Sequence, residues 1–429
     1  MNYEQAVQFL NEIPMFSDRG IAAANFDLSR MHRFCSKLGN PHLHFPSVLV
    51  AGTNGKGTVC RMLASVYSEA GYKTGLYTSP HLLDVRERFH INRDQIDKDL
   101  FVSFFEMYGS FIRENRFTYF EVTTALAFWW FSSENTDLAI IEVGLGGRLD
   151  ATNVLHPLVS VITSVGQDHM DILGDSVTQI AREKAGIIKP NGTVIIGDLS
   201  EQAKSAVQDE AQKKDASLIG CSGDNEPELW ISKGGKEFIK NHDAVIKNTD
   251  LINMRVSGLV VNTISGYFPV SEEQLIVGIS KWRRRYPAHG SFQKLMRGRD
   301  WYFDGAHNQD ATKELVHHMK SIAQPDEWHV VLSFMKDKLT EEVSELWKDF
   351  PNIYLFAMGR ERAADAEWMK KKFEDGVVLQ NRDKAIEKLQ SLETQLVIFS
   401  GSFYFYTVVK NWMGTLASAD QINPPTQSK

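Results

Sequence analysis

Lys56 and Thr58 sit in the run VLVAGTNGKGTVC, residues 48 to 60, where Gly52, Gly55 and Gly57 surround them. Val48, Leu49 and Val50 read as a short buried strand and the run from Thr58 to Tyr67 as a helix, so the order is strand, glycine loop, helix. Such glycines let backbone N–H groups converge on phosphate oxygens, and the helix start adds the positive end of its dipole. Lys56 supplies a point charge and Thr58 a hydroxyl for magnesium. Gly57 stands between the lysine and the hydroxyl residue, so the strict G-x-x-x-x-G-K-[ST] spacing is broken while its chemistry is kept. The plain alternative, an ordinary glycine turn, gives a lysine followed by a hydroxyl at a helix start no packing use.

Four further segments carry groups of the same kind. TSPHLLDVRERFHIN follows an expected strand at 73–77 and places Ser79 and His81 at its C-terminal end, where open α/β sheets bind ligands; an incidental surface loop is the alternative. LAIIEVGLGGRLDATN ends an apolar strand in Glu142, a carboxylate suited to magnesium opposite a phosphate loop, followed by glycines that admit a ligand close to the backbone. VITSVGQDHMDILGDSVTQIAREKAGIIKP delivers Asp168 and His169 from another strand and sets Glu183 and Lys184 on a helix closed by Gly186. A histidine after a strand is more often structural and a helical lysine more often solvated. Yet neutral imidazole ligates divalent cations, and a lysine beside an active site can carry a carbamate. DWYFDGAHNQDA ends a strand in Asp304 and presents His307 and Asn308 before a helix, where Asp304 and Asn308 read equally well as caps.

The elements that must hold these groups follow from composition and periodicity. A chain of 429 residues exceeds the size at which one hydrophobic core stops growing, so two domains are expected, and 43% hydrophobic residues suffice for both cores. Apolar runs at 48–51, 138–143, 159–164, 193–196, 330–333, 353–357 and 396–400 alternate with helical periodicity at 60–70, 99–114, 122–132, 177–185, 311–323 and 340–349. That alternation predicts an α/β fold with parallel sheets covered by helices. The polar segment 220–248 reads as a small set of surface strands, the residues after the helix at 272–282 as an interdomain linker, and 419–429 as a mobile tail. The expected division is 1–282 for a phosphate-loop ATPase domain, 283–299 for the linker and first strand region, and 300–429 for a smaller Rossmann-like α/β domain. A net charge of −7 and a pI near 6.0 argue against a nucleic-acid protein. Cys35, Cys60 and Cys221 have no metal-like spacing and suggest a reducing compartment. The acidic, amphipathic start MNYEQAVQFLNEI and the lack of a long apolar window predict a cytoplasmic protein with no membrane span.

In this order, the segments GTNGKGT, SPHL, FEVTT, EVGLGGRLDATN, the Asp168–His169 pair, EKAGIIK, DGAHN and SGSFY resemble the folylpolyglutamate synthase/dihydrofolate synthase family of the Mur ligase superfamily over nearly the whole chain. Gly57 is then a mark of the folate branch. The resemblance implies that Thr53, Asn54, Gly55, Lys56, Gly57 and Thr58 hold the phosphates of ATP, and that Thr58, Ser79, Glu142 and His169 serve Mg2+. It implies a carbamylated Lys184, acid-side contacts at Thr118, Tyr119, Phe120 and Glu121 and at Leu149, Asp150 and Ala151, and nucleotide contacts from Asn253, Asp304 and His307. One departure stands out: the family's P-G-R-[FL] segment at the domain junction reads His289, Gly290, Ser291, Phe292 here, so its phosphate-binding arginine is Ser291. Arg283, Arg284, Arg285, Arg297, Arg299 and His289 are the candidates to replace its charge.

The implied reaction is ATP-dependent ligation of L-glutamate to dihydropteroate or a reduced folate through an acyl phosphate, by a monomer in which domain closure excludes water. Lys56, Glu142, His169 and Lys184 are the residues expected to carry it. A Mur-type ligase for another acid and amino acid, or a nucleotide-regulated binding protein, are the alternatives. Only a ligase releases ADP and phosphate in response to an acid acceptor plus an amino acid.

Overall fold

The apolar runs become strands buried along their length, because helices cover both faces of each sheet. The computed structural model describes residues 1–14, 27–221, 247–287, 290–360, 362–392 and 395–422. It divides into two compact units, Met1–Pro287 and Ala288–Lys429.

In the first unit the strands are β1 (Ser47–Ala51), β2 (Thr74–Tyr77), β3 (Phe89–Ile91), β4 (Asp94–Gln95), β5 (Leu138–Glu142), β6 (Val159–Ile162), β7 (Thr193–Ile196) and β8 (Ser217–Gly220). They form one sheet in the order β4-β3-β2-β5-β1-β6-β7-β8. β2, β5, β1, β6, β7 and β8 run parallel, and β3 and β4 are added antiparallel at one edge. Val48 of β1 registers with Ile140 of β5 on one side and Val159 of β6 on the other. The chain thus leaves β1 in one direction and later returns to its other flank, the kind of switch at whose strand ends open α/β sheets bind ligands. The C-terminal ends of β2, β5, β1 and β6, each followed by one of the chemical segments, lie side by side.

Two helices start earlier than periodicity indicates. The helix after β1 is Lys56–Glu69, so Lys56 and Gly57 occupy its first turn. Tyr119–Ser133 begins ahead of the apolar run from Val122, because Thr118 and Glu121 close a capping box: the Glu121 carboxylate accepts from the Thr118 N–H at 2.6 Å, and the Thr118 hydroxyl accepts from the Glu121 N–H at 3.3 Å.

The second unit holds β9 (Gln293–Lys294), β10 (Trp301–Phe303), β11 (Trp328–Leu332), β12 (Asn352–Phe356), β13 (Val377–Leu379) and β14 (Leu396–Ser400), in the order β13-β12-β11-β14-β10-β9 with β9 alone antiparallel. Trp328, Phe334, Trp347, Leu355 and Ile398 belong to its core.

One expectation changes, and two fall largely outside the described residues. Arg283, Arg284 and Arg285, read as linker, continue the helix Glu272–Arg285 of the first unit. Of the segment read as surface strands, 222–246 lie outside the described residues, and Asn248 opens the helix Asn248–Thr263. The tail read as mobile from residue 419 begins inside the helix Phe405–Ile422, while 423–429 lie outside the described residues. Among the described residues no helix is long and apolar enough to cross a membrane.

Candidate active site

The glycine loop is sewn to the end of β6. Thr53 N–H donates to the Ser164 carbonyl at 2.9 Å, and Asn54 N–H donates to the Ser164 hydroxyl at 2.9 Å. The hydroxyls of Thr163 and Ser164 donate in turn to the Asn54 carbonyl at 2.6 and 2.9 Å. Gly55 takes the left-handed φ of 87° that ends the loop, and a side chain there would lie 2.6 Å from Oδ1 of Asn253, so this carboxamide from the helix Asn248–Thr263 packs directly on the loop. Lys56 Nζ donates to the carbonyls of Gly52 at 2.8 Å and Thr53 at 3.2 Å. Thr58 is half-buried on the first turn of the same helix.

Glu142 ends β5 beside that loop. Its carboxylate is 3% exposed and accepts the N–H of Ser79 at 2.9 Å, so the end of β2 holds the end of β5. Burial raises its carboxyl above the usual range, and the charges of Lys56, Arg61 and Arg88 oppose that rise. Arg61, one turn into the loop helix, donates to the Gly57 carbonyl at 3.0 Å.

Asp168 and His169 follow β6. His169 has a left-handed φ of 51°, its Nε2 stands 3.8 Å from Asp168 Oδ1, and its ring is half-exposed. Lys184 is only 3% exposed, not the solvated helical lysine of the plain reading. Burial, reinforced by the charge of Lys56 and opposed by Asp168, brings its ammonium down to about 7. The charge of Lys56 thus acts on both Glu142 and Lys184, which joins three of the four expected catalytic residues into one electrostatic group. His169 connects to it through Asp168.

The segments expected on the acid side divide by job. Thr118 and Glu121 are committed to the helix cap, and Glu121 also pairs with Arg30 at 3.0 Å, so both hold structure. Asp150 is likewise a fastener: Oδ2 accepts from Gly144 and Leu145 N–H at 3.0 Å each, and Oδ1 from the Thr152 N–H at 3.0 Å and its hydroxyl at 2.5 Å. Ala151 is buried and Leu149 half-buried in the turn thus held. Tyr119 and Phe120 present rings instead. The Arg88 guanidinium lies 5.4 Å from the Tyr119 ring and donates through Nε to His81 Nδ1 at 2.9 Å, and Phe120 packs 6.0 Å from Tyr77.

In the second unit Asp304 is bound into its own turn: Oδ2 accepts from Phe292 N–H at 2.8 Å and Oδ1 from Ala306 N–H at 2.9 Å. His307 Nδ1 lies 2.9 Å from the Gly305 carbonyl, and its ring meets Phe403 at 5.6 Å. The Gly401 N–H donates to the Ala306 carbonyl at 3.1 Å, which sets the SGSFY turn after β14 against the DGAHN turn after β10. Asn308 caps the helix Gln309–Ile322. Of the arginines proposed to replace Ser291, Arg283 pairs with Asp250 at 2.7 Å, Arg285 pairs with Glu69, and Arg299 lies 4.8 Å from the Trp301 ring, so all three have work within their own units. Arg284 and Arg297 are exposed, and His289 lies outside the described residues.

The donor set suits magnesium. Glu142 is a buried carboxylate accepting one backbone N–H, that of Ser79 just after β2, and lies beside the start of the loop helix. Among the described residues no group of three or more His, Cys, Asp or Glu forms a closed metal cage. One or two carboxylates together with phosphate oxygens and water is how proteins usually hold this ion.

Residues 50–258 match the Mur ligase middle domain, and residues 292–403 match the Mur ligase glutamate ligase domain. The dihydrofolate synthase/folylpolyglutamate synthase of Escherichia coli is 32% identical over 369 residues, 83% of each chain. A probable bifunctional folylpolyglutamate synthase/dihydropteroate synthase of Halobacterium salinarum is 28% identical over 448 residues, covering 98% of this chain and 53% of that relative, so this chain spans about half its length. The folylpolyglutamate synthase of Mycobacterium tuberculosis, solved with ADP, shares the fold at a TM-score of 0.81 and 23% identity, over 96% of this chain and 98% of that one. By these matches the chain belongs to the dihydrofolate synthase/folylpolyglutamate synthase family of ATP-dependent ligases, within the Mur ligases.

Proposed function

We propose that this chain joins L-glutamate to dihydropteroate or a reduced folate at the expense of ATP. The observation that carries the reading is the grouping of Lys56, Glu142 and Lys184 around one glycine loop, in a chain 32% identical to an enzyme named for both reactions.

A carboxylate is a poor electrophile, so its oxygen first takes the γ-phosphoryl group of ATP, giving an acyl phosphate and ADP. The glutamate amine then attacks the acyl carbon; the C–N bond forms, phosphate leaves with the C–O bond electrons, and the amine gives up a proton. Neither step needs a nucleophilic side chain. Thr53, Asn54, Gly55, Lys56, Gly57 and Thr58 bind the phosphates, and Lys56 offsets charge on the transferred group. Thr58, Ser79, Glu142 and His169 would hold Mg2+, which supplies charge neutralisation to phosphate oxygens when bound. Asn253 supports the loop from below Gly55, and Tyr119 and Phe120 offer ring surface to a flat pterin.

Lys184 is read as a carbamate. Carbon dioxide reacts with a neutral amine, and a buried lysine brought down to about 7 is largely neutral at physiological pH. The N–C bond forms as the amine loses a proton, turning a cation beside Lys56 into an anion. All three cysteines are buried, and a cytoplasmic site of action and a monomeric state are part of the proposal.

The test offers the purified chain ATP, magnesium and L-glutamate with each pterin in turn, and identifies products by mass. A product heavier by one glutamyl residue, formed with equimolar ADP, supports the reading. Absence of ATP turnover with every acid would overturn it.

A further inference from the structure

Gly57 lies in the first turn of its helix and is not among the residues of positive φ, so its backbone does not call for glycine. The space around it does. A methyl built on Gly57 would lie 2.6 Å from Arg61 Nη1 and 3.3 and 3.4 Å from the two carboxylate oxygens of Glu142. That same Nη1 donates to the Gly57 carbonyl at 3.0 Å, and Nη2 reaches the Thr78 hydroxyl at 3.5 Å, beside Ser79. A guanidinium and a buried carboxylate therefore both border the one position of the loop helix that has no side chain, and their opposite charges act on each other.

We propose that Arg61 is a positioning residue for the ligation: clamped on the Gly57 carbonyl, it holds the Glu142 carboxylate at the end of β5 against the start of the loop helix, and residue 57 is glycine because the guanidinium fills the space of a side chain. The proposal rests on the ligase reading above. The neighbouring cation, Lys56, is engaged by the carbonyls of Gly52 and Thr53, and the Ser79 N–H holds Oε2 of the carboxylate. Arg61 supplies the charge on the Gly57 side of it. A planar fork tied at two points fixes an orientation that a flexible ammonium does not, so lysine at this position keeps the charge and loses the geometry.

The experiment is a double-mutant cycle on the full chain with Arg61→Ala, Gly57→Ala and both together, plus Arg61→Lys. It reads kcat, KM for ATP, the melting midpoint, and ADP affinity by calorimetry with and without magnesium. Arg61→Ala is expected to lower kcat by about 10²-fold, the scale of an ångström-level misplacement, and to shrink the gain in ADP affinity that magnesium brings. Gly57→Ala should do much the same by displacing the guanidinium, and the double variant should be no worse than either single one. Arg61→Lys should recover part of kcat. If the two losses multiply in the double variant, if Arg61→Ala keeps kcat within twofold, or if only the melting midpoint moves, the proposal fails. Turnover by the parent chain is measured alongside, so a wrong substrate reading shows there, and the magnesium-linked ADP affinities still decide the role of Arg61.

Discussion

Replacing Lys184 by methionine tests whether the buried amine is strained as an ammonium. The residue is 3% exposed, and burial together with Lys56 outweighs Asp168 to bring it from 10.5 down to about 7. In the unfolded chain the same amine keeps its proton up to its ordinary value. Between pH 7 and 10.5 the unfolded state therefore binds more protons, and stability rises with pH; below about 7 both states are protonated and the folded chain bears the full cost. One such group gives a slope of about 1.4 kcal/mol per pH unit, or roughly 5 kcal/mol across the window. Lys184→Met keeps the length and removes the charge, so it should be the more stable chain near pH 6.5, with the difference closing toward pH 10. Urea unfolding of both chains at half-unit steps, in buffer freed of carbon dioxide, reads the difference directly because every other titrating group is shared. Bicarbonate near pH 8.5 should then stabilise the parent alone, since a carbamate there would be an anion beside Lys56. Parallel stability curves would refute the reasoning, for they would mean that the ammonium is well solvated or paired in the folded chain.

Lys56→Ala and Glu142→Ala should each reduce ligation below detection while circular dichroism stays that of the parent, because both act on phosphate charge and metal; full activity in either would remove the assigned site. Asp150→Ala should cost roughly 2–4 kcal/mol in urea unfolding, as four donors lose one shared acceptor, and a loss below about 0.5 kcal/mol would show that water replaces the carboxylate. Ser291→Arg should lower KM for ATP if no other residue supplies the junction charge, with unchanged kinetics the contrary result.

The placement of the candidate residues was legible because parallel sheets put all their C-terminal strand ends on one edge, so polar groups that end or follow an apolar run are delivered there. The positions of Lys56, Ser79, Glu142 and His169, each at or after the end of a strand, could be read this way. What local sequence does not carry is strand order. β5, beginning at Leu138 where β2 begins at Thr74, inserts between β2 and β1, and that insertion brings Glu142 beside the start of the loop helix. Thr163 and Ser164 were missed because they look like the tail of an apolar strand, whereas β6 stops at Ile162 and the two hydroxyls turn onto the phosphate loop. Arg61, next to Cys60 on a helix, carries no periodic signal that separates it from a solvated arginine.

The acid-side segments show a different ambiguity, one resolved by counting hydrogen bonds. T-x-x-E at Thr118 and Glu121 is a helix-start signature in its own right, and the structure uses it as one. Asp150 and Glu142 lie eight residues apart on the same strand-and-loop unit, and both are buried carboxylates. Asp150 receives four donors on its two oxygens and so fixes the backbone from Gly144 to Thr152. Glu142 receives one N–H, from Ser79, in a pocket where the nearby charges are Lys56, Arg61 and Arg88. A carboxylate whose acceptor capacity is met by its own loop stabilises that loop. One held by a single donor among cations keeps capacity for a ligand, and this difference, invisible in residue type or spacing, is the ground for proposing Glu142 rather than Asp150 as the carboxylate that meets metal and phosphate.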